Sequence, residues 1–481
     1  MSMTPRRFDI VVLGSGPAGQ KAAVQAAKAG RSVALVEQEQ GVGGACVHRG
    51  TIPSKTLRET AVHLAGFRLR MGAHLPIQIP ADLQLASLMD RMERVIAAHV
   101  EYQRAQLERN QIIQVHGRAR FRSAHEIEVE GVYGDHHVLH GDIIVIATGS
   151  RPRTPPNVPV DHEHIYDSDS ILSMAYLPKS LTVLGAGVIA SEYATIFAAL
   201  GVKVTMVDKA KRPMAFLDGE ILDRFVAAFE SNPGCIFVGG QATKSVAFDG
   251  VSQVQTTLEN GWTVTSEKVL CALGRVANVD NLEIAAAGLA TNDRGHLPVD
   301  AHCRTKVAHI FAVGDVIGPP SLASAAMEQG RRAMRAALGL PIADANNVIP
   351  AGIYTIPEIA SIGLSEAEAK QRHGDCIVGR AHFRELARGQ IAGCTDGLLK
   401  LITEPISLKV IGCQILGEGA TELIHLAQMA IATGTSAETF VETIFNFPTL
   451  AEAYRVAGLD VIAQQSLRGQ SESQLLHKPL H

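Results

Sequence analysis

Short apolar runs that stop abruptly at glycine alternate along this chain with stretches of helical period. Phe8-Asp9-Ile10-Val11-Val12-Leu13 has the length and β-branched content of a buried strand. It ends at Gly14-Ser15-Gly16-Pro17-Ala18-Gly19, and the alanine-rich stretch to about Ala29 predicts a helix stopped by Gly30. Ser32 to Val36 predicts a second strand, ending at Glu37. The same order then returns. Leu181 to Leu184 reads as a strand, Gly185-Ala186-Gly187-Val188-Ile189-Ala190 as a turn, and a helix runs to about Leu200. Gly201 stops it, and Val202 to Val207 is a strand ending at Asp208. Glu37 and Asp208 each stand 23 positions after the first glycine of their unit. One strand-turn-helix-strand unit is therefore present twice.

Other segments extend this pattern. Gly141 to Ser150 and His309 to Val316 predict two further buried strands that run into small-residue turns. Asp315 there can cap a loop or helix, or accept from a cofactor hydroxyl. Ser324 to Leu338 predicts a helix. Pro152-Arg153-Thr154-Pro155-Pro156 reads as a linker, the second unit ends near Gly274-Arg275, and Pro341 to Pro350 is a further boundary. From Gly352 on, strands (Leu398 to Ile402, Lys409 to Ile415) mix with helices (Thr421 to Thr433, Ser436 to Thr443), and the polar stretch beyond Gln464 predicts a mobile tail.

The repeated unit carries chemistry as well as shape. A G-x-G-x-x-G run between a strand and a helix, with an acid about 20 residues on, suits a dinucleotide. Its glycines let the backbone approach a pyrophosphate, and the helix N-terminus offers free N–H groups and a positive dipole end to that anion. Glu37 and Asp208 are placed to accept from a ribose. Two such units predict two dinucleotides. The plainer alternative, two tight turns without a ligand, has more room in the second unit, where Ala190 replaces the third glycine.

Composition narrows the class. At 481 residues the chain is long enough for about three domains. The apolar fraction is 46% and the charged fraction 19%, which is ordinary for a globular protein. Lys+Arg is 44 and Asp+Glu is 48, a net charge of -4, so neither nucleic acid nor an acidic membrane is the expected partner. The seven cysteines, at 46, 235, 271, 303, 376, 394 and 413, are scattered singly, and no C-x-x-C occurs. That disfavours zinc ribbons, thioredoxin-type sites and disulfide scaffolds and fits a reducing compartment, and no metal site is expected. Met1 to Asp9 is polar and leads straight into a strand. With neither a signal peptide nor an uninterrupted apolar span, the expectation is a soluble cytoplasmic protein.

Several motifs together resemble the pyridine nucleotide–disulfide oxidoreductases, two-dinucleotide flavoproteins, over almost the whole chain. They are Gly14-Ser15-Gly16-Pro17-Ala18-Gly19, Gly43-Gly44-Ala45-Cys46, Ile52-Pro53-Ser54-Lys55, Ala147-Thr148-Gly149, Gly185-Ala186-Gly187 and Val313-Gly314-Asp315. The resemblance implies an α/β fold with two Rossmann-like domains and a C-terminal α+β dimerisation domain. FAD would bind a discontinuous domain, 1–155 with 280–346. NAD(H) or NADP(H) would bind 156–279, and 347–481 would make a homodimer. By the same resemblance, cofactor-binding positions fall at Gly14, Ser15, Gly16, Pro17, Ala18, Gly19, Glu37, Gly43, Gly44, Cys46 and Lys55. Ala119, Thr148, Gly149, Gly314, Asp315, Leu322 and Ala323 join them, and the second unit adds Gly185, Gly187, Val188, Ile189, Glu192, Asp208, Gly274 and Arg275. Lys55 and Glu192 match family residues that pair beside the flavin, and Cys46 matches one that lies over it. These three are the catalytic assignments, although an internal salt bridge and an inert buried thiol explain the same residues. The helix near Ser324 would turn its positive end to the flavin pyrimidine edge and stabilise an anionic reduced flavin.

Two departures from the family pattern bear on activity. The disulfide reductases carry Cys-x4-Cys, whereas Cys46 is followed at that spacing by Thr51. One thiol cannot close an intramolecular disulfide. The reductases also carry a His-Pro-Thr with a Glu shortly after, an acid/base dyad serving the thiol. Here the run is Phe447-Pro448-Thr449-Leu450-Ala451-Glu452, so the titratable ring is gone and Glu452 reads as structural. Both losses remove the half-reaction with a disulfide and leave the two nucleotide sites. Gly50 to Lys55, Tyr354-Thr355-Ile356-Pro357-Glu358-Ile359 and Phe445 to Arg455 resemble the soluble pyridine nucleotide transhydrogenases. That resemblance implies ping-pong hydride transfer: NADPH reduces the flavin at N5 and leaves, and NAD+ enters the same site and takes the hydride. An NAD(P)H oxidase or diaphorase, a single-cysteine reductase and a flavin redox sensor are the alternatives, and a dihydrolipoamide dehydrogenase is disfavoured by Thr51 and Phe447 together. Asp208 favours a ribose with a free 2′-OH. Lys209, Lys211 and Arg212 either receive a 2′-phosphate or form a solvated basic loop.

Overall fold

The computed structural model describes residues 5–71, 85–343 and 348–476. They form two compact units, one from residues 5–57, 85–177 and 271–343 and the other from residues 58–71, 178–270 and 348–476.

In the first unit, β1 (Arg6–Leu13), α1 (Pro17–Lys28) and β2 (Val33–Glu37) follow in the expected order. β1 lies between β2 and the strand His136–Ile146, parallel to both, with Ile10 opposite Val33 and Ile143. The continuous apolar run has a simple cause. Ile10 and Val12 enter one core with Ala22, Ala23 and Ala26 of α1, while Val11 and Leu13 enter another with Phe121 and Ile310. A strand buried on both faces has no polar alternation to show. Each such Val, Leu or Ile contributes about 1.5–3 kcal/mol by leaving water. The small residues of α1 serve a close crossing with the helix Ala323–Ala337, where a Cβ on Gly330 would lie 2.1 Å from the Ala18 carbonyl oxygen.

Two strands have other bounds than expected. The strand expected over Gly141 to Ser150 begins earlier, at His136, and stops at Ile146. The one expected over His309 to Val316 covers only Ile310–Ala312. A helical turn, Gly314–Ile317, follows it, because Gly314 takes φ +77° and bends the chain out of the sheet.

In the second unit, β3 (Ser180–Leu184), α2 (Val188–Ala199) and β4 (Lys203–Asp208) repeat the pattern, with β3 and β4 parallel from Lys203 opposite Ser180 to Val207 opposite Leu184. α3 (Gly219–Glu230) follows, capped by the Asp218 carboxylate, which accepts from the Glu220 and Ile221 N–H groups at 3.0 and 3.4 Å. The remainder builds a five-stranded sheet in the order Ala351–Ile353, Ile359–Gly363, Val410–Leu416, β5 (Leu398–Thr403), Ile377–His382, with every adjacent pair antiparallel. Helices Ala420–Thr433, Ala437–Glu442 and Glu452–Leu476 share its core with Phe383, Leu401 and Ile415. The stretch beyond Gln464, expected as a mobile tail, continues the last helix to Leu476.

This unit also buries charge. Lys400 on β5, 2% exposed, reaches Asp218 at 2.8 Å, Glu220 at 3.1 Å and Glu366 at 3.1 Å. Burial raises the Glu366 carboxyl, but hydrogen bonds from Lys370 and Lys400 and their charges outweigh it and hold the group at about 2, against an ordinary 4.5. A carboxylate depressed in the folded state adds stability that is complete above its unfolded value and lost as pH falls toward its folded one. Between about pH 6 and about pH 3, wild type should therefore lose on the order of 2 kcal/mol more than Glu366→Gln. Urea unfolding at the two ends of that range measures it, and equal losses would refute it.

Candidate dinucleotide sites

The first glycine run uses its three glycines for three different reasons. Gly14 takes φ +101°, and a Cβ there would lie 2.4 Å from the Ala147 carbonyl oxygen. A Cβ on Gly19 would lie 1.9 Å from the Gly14 carbonyl oxygen, so this glycine permits the turn to pack on itself. Around Gly16 no described atom beyond its chain neighbours comes within 4 Å of a Cβ. Open space at the N-cap of α1 is what an approaching phosphate needs. No side chain caps this helix, and Pro17 in its first turn has no N–H to satisfy. Ala18 and Gly19 keep their N–H groups for an anion, while the Gln20 N–H already donates to the Gly16 carbonyl at 3.0 Å.

Neighbouring groups hold this loop still. Ser15 is fully buried. Its N–H and Oγ donate to Glu37 Oε2 at 2.9 and 2.6 Å, and its Oγ accepts from the Gly43 N–H at 3.0 Å. Ser15 thus ties the loop to Glu37 and to the second glycine pair, and Gly44 comes so close that its Cβ would lie 2.9 Å from Gly16 Cα. Glu37 Oε1 accepts from the Glu39 N–H at 3.0 Å. A carboxylate has about four acceptor positions, so capacity for a ribose hydroxyl remains.

The other positions expected in this unit fall into a polar network and two loops. Thr148 exchanges hydrogen bonds with Asn278, Oγ1 to the Asn278 carbonyl at 2.8 Å and Asn278 Nδ2 to the Thr148 carbonyl at 2.9 Å. Gly149, at φ +69°, follows with open space beside it. Asp315 Oδ2 accepts from Ser150 Oγ at 2.7 Å, and that oxygen accepts from Arg275 Nε at 2.9 Å. Arg275 also meets Asp169 at 3.1 Å, so this expected ligand residue has protein partners of its own. Gly274 accepts from the Arg153 N–H at 3.0 Å, and the Gly314 N–H donates to Gln329 Oε1 at 2.8 Å. Leu322 is the N-cap of the helix starting at Ala323, which again has no side-chain cap. Ala119 lies on the strand Arg118–Phe121, opposite Val129.

The second run repeats the first. Gly185 takes φ +104°, and Gly187 is the N-cap of α2, with no side-chain cap and open space at its Cβ position. Val188 and Ile189 form the first turn, and Ala190, fully buried, supplies a methyl where the first unit has Gly19. Asp208 mirrors Glu37, accepting from the Ala186 N–H through Oδ2 and from the Ala210 N–H through Oδ1, both at 2.7 Å. The anchoring of both acids to their own loops was missed from sequence. The spacing that points to a ribose also brings the carboxylate to the amide after the first glycine. Of the basic residues that follow, Lys209 and Lys211 are exposed, and Arg212 pairs with Asp223 at 3.0 Å.

Around Cys46 the chemistry is muted. The thiol is half-buried and free. Burial pushes it above its ordinary value, a hydrogen bond with Thr51 and the Lys55 charge pull it down, and Asp315 pushes it up again. The net shift is upward, so the thiol stays protonated at neutral pH and is a poor nucleophile. Lys55 Nζ lies 3.4 Å from Ser54 Oγ. Glu192, 5% exposed on α2, accepts from the Tyr354 N–H at 2.9 Å through Oε1. Phe447 is exposed, and Glu452 accepts from the Thr449 N–H at 3.2 Å, a helix-start contact. Among the described residues, no group of three His, Cys, Asp or Glu could hold a metal ion, and no helix is long and apolar enough to cross a membrane.

Two open helix N-termini behind glycine turns, each with a carboxylate at the end of the following strand, fit two dinucleotides. Comparison with known proteins agrees. Residues 8–330 match the family described as pyridine nucleotide-disulphide oxidoreductase, and residues 349–457 match its dimerisation domain. A soluble pyridine nucleotide transhydrogenase of Mycobacterium tuberculosis is 43% identical over 459 residues, 95% of this chain and 97% of that protein. One from Hahella chejuensis is 42% identical over 461 residues, 95% and 99% of the two chains. Among solved structures, LpdA from Mycobacterium tuberculosis superposes with a TM-score of 0.86 at 27% identity, covering 94% of this chain and 99% of that one. The HOCl-induced flavoprotein disulfide reductase RclA from Escherichia coli gives 0.85 at 26%, covering 94% and 100%. With its two glycine-loop units and near full-length relatives, the chain belongs to the pyridine nucleotide-disulphide oxidoreductase family.

Proposed function

We propose that the protein is an FAD-dependent soluble pyridine nucleotide transhydrogenase, a cytoplasmic homodimer passing a hydride between NADPH and NAD+. The observation that carries this reading is the retention of both dinucleotide loops in a chain whose Cys46 is followed, at the spacing of the redox pair, by Thr51 in place of a second cysteine. Relatives at 43% and 42% identity bearing that name support it.

Bound FAD supplies a two-electron relay that lets one nicotinamide nucleotide be oxidised before another is reduced. The protein's own part is placement. The first turn of α1, behind Gly16, would hold the FAD pyrophosphate, and Glu37 would accept from its ribose. The N-terminus of the helix Ala323–Ala337 would lend positive potential to the flavin's pyrimidine edge. The first turn of α2, behind Gly187, would hold the nicotinamide nucleotide in turn, NADP(H) or NAD(H). Asp208 accepts from a 2′-OH, and Lys209 and Lys211 attract a 2′-phosphate. Lys55 and Glu192 are assigned to the flavin. Residues 1–155 with 280–346, 156–279 and 347–481 are then the FAD, nucleotide and dimer parts. No step requires a thiolate or a general base, which accords with Phe447 and with the raised thiol of Cys46.

The test is anaerobic mixing of the flavin-loaded protein with NADPH and thio-NAD+. Steady formation of thio-NADH with parallel double-reciprocal lines is expected, and Cys46→Ser should keep turnover within about twofold. Bleaching of the flavin without turnover would overturn the proposal. So would a Cys46→Ser variant without activity, which would restore a thiol mechanism.

A further inference from the structure

In both glycine turns, one carbonyl is held in the same way. Ser15 and Ala186 each precede the open glycine of their turn, Gly16 or Gly187. The residue six positions after the first glycine of the turn reaches back to that carbonyl. In the first unit it is Gln20, 4% exposed, whose Nε2 donates to the Ser15 carbonyl at 2.9 Å. In the second it is Ser191, fully buried, whose Oγ donates to the Ala186 carbonyl at 3.5 Å. A backbone donor joins each. The Gly43 N–H donates to the Ser15 carbonyl at 3.2 Å, and the Met214 N–H to the Ala186 carbonyl at 2.9 Å. Glutamine and serine share little except a donor, and the backbone donors come from unrelated segments. What the two turns have in common is the carbonyl that is held.

A plainer reading is that each side chain only satisfies itself. A helical serine ordinarily returns its hydroxyl to the carbonyl four residues back. Ser191 reaches the one five back instead. Gln20 Nε2 carries two hydrogens and gives the other to Gln103 Oε1 at 2.7 Å, on the helix Leu85–Arg109. Gln103 thereby orients the amide toward Ser15.

The held carbonyl fixes a neighbouring donor. A trans peptide is planar, so the Ser15 carbonyl and the Gly16 N–H point in opposite directions, as do the Ala186 carbonyl and the Gly187 N–H. Turning such a peptide over changes ψ of the first residue and φ of the glycine, and glycine adopts positive φ as readily as negative. Both glycines have open space at their Cβ positions, so packing there does not oppose the change. A turned peptide would present an oxygen to an arriving phosphate in place of an N–H. With the carbonyl held, the N–H points away from Gln20 or Ser191, and no acceptor among the described residues takes it.

We propose that Gln20 and Ser191 are positioning residues for dinucleotide binding: each holds the carbonyl before the open glycine, so that the glycine N–H faces the pyrophosphate. This rests on the reading that the two turns take FAD and a nicotinamide nucleotide.

Gln20→Met keeps the length of the side chain and removes its donor. FAD should be held about tenfold more weakly, and the phosphorus NMR resonances of its bound pyrophosphate should shift. Gln103→Met leaves the Ser15 contact in place and should weaken FAD by less than about threefold. FAD affinity within about twofold of wild type in Gln20→Met, unshifted resonances, or equal losses in the two variants would overturn the role of Gln20. Ser191→Ala removes a single oxygen, and it decides the matter if Gln20→Met does not fold. Because its contact is longer, it should weaken ADP-ribose about threefold as a competitive inhibitor of the flavin-loaded enzyme, and leave 2′-AMP, which has no pyrophosphate, unchanged. Equal effects on the two inhibitors, or none, would overturn it. Gly16→Val separates this proposal from the reading beneath it. If that variant retains FAD, the first turn is not the cofactor site. If it loses FAD while Gln20→Met holds it as wild type does, only the positioning role fails.

Discussion

Gly16→Val is expected to give a folded protein that does not retain FAD. The position has φ −65° and ψ −179°, an extended conformation open to any residue. No described atom beyond its chain neighbours lies within 4 Å of its Cβ position, so the added Cβ meets no protein. It would instead fill the space before the uncapped first turn of α1, where the proposed pyrophosphate must come within hydrogen-bond distance of N–H groups. A loss of at least about a hundredfold in flavin affinity, about 2.7 kcal/mol, is expected, with all turnover lost alongside. Gly19→Val is the counterpart. Its Cβ would lie 1.9 Å from the Gly14 carbonyl oxygen, so that substitution should damage the fold itself. The ratio of flavin to protein absorbance, with far-ultraviolet circular dichroism of the apoproteins, distinguishes the two. Stoichiometric flavin in Gly16→Val would remove the first loop from the cofactor site.

Gly330→Val should destabilise the first unit by at least about 3 kcal/mol, at the upper end of what overpacking usually costs. The added Cβ would lie 2.1 Å from the Ala18 carbonyl oxygen and 3.2 Å from the Ala22 nitrogen. These are backbone atoms of α1 and cannot rotate away as a side chain could. α1 is in turn fixed to β1 and β2 by Ala22, Ala23 and Ala26, all fully buried. The strain must therefore separate two helices whose N-termini both serve the proposed flavin site. A fall in the thermal midpoint together with loss of flavin is expected, since binding stabilises the folded state by mass action. A variant that melts within about 1 kcal/mol of wild type would show that the crossing can open at small cost.

Much of this protein was legible in its residues because the relevant physics is local. A strand buried on both faces must be apolar throughout, a turn with positive φ calls for glycine, and the acid at the end of β2 or β4 falls at a fixed spacing from that turn. Gly14 to Glu37 and Gly185 to Asp208 therefore announce the same unit twice. The absent chemistry was equally plain, since Thr51 cannot form a disulfide and Phe447 cannot carry a proton. Tertiary structure alone decided what depends on partners distant in the chain. Lys400, within Leu398-Leu399-Lys400-Leu401-Ile402, has no local signal for its burial, and its carboxylates come from positions 218, 220 and 366. Gly330 looks like a weak point in a helix until Ala18 is placed against it. Ser15 and Arg275, expected to face a ligand, gained protein partners at Glu37 and Asp169. Local sequence sets backbone shape and the face each residue occupies, whereas a buried charge or a helix crossing is fixed only when the folded chain brings its partner to it.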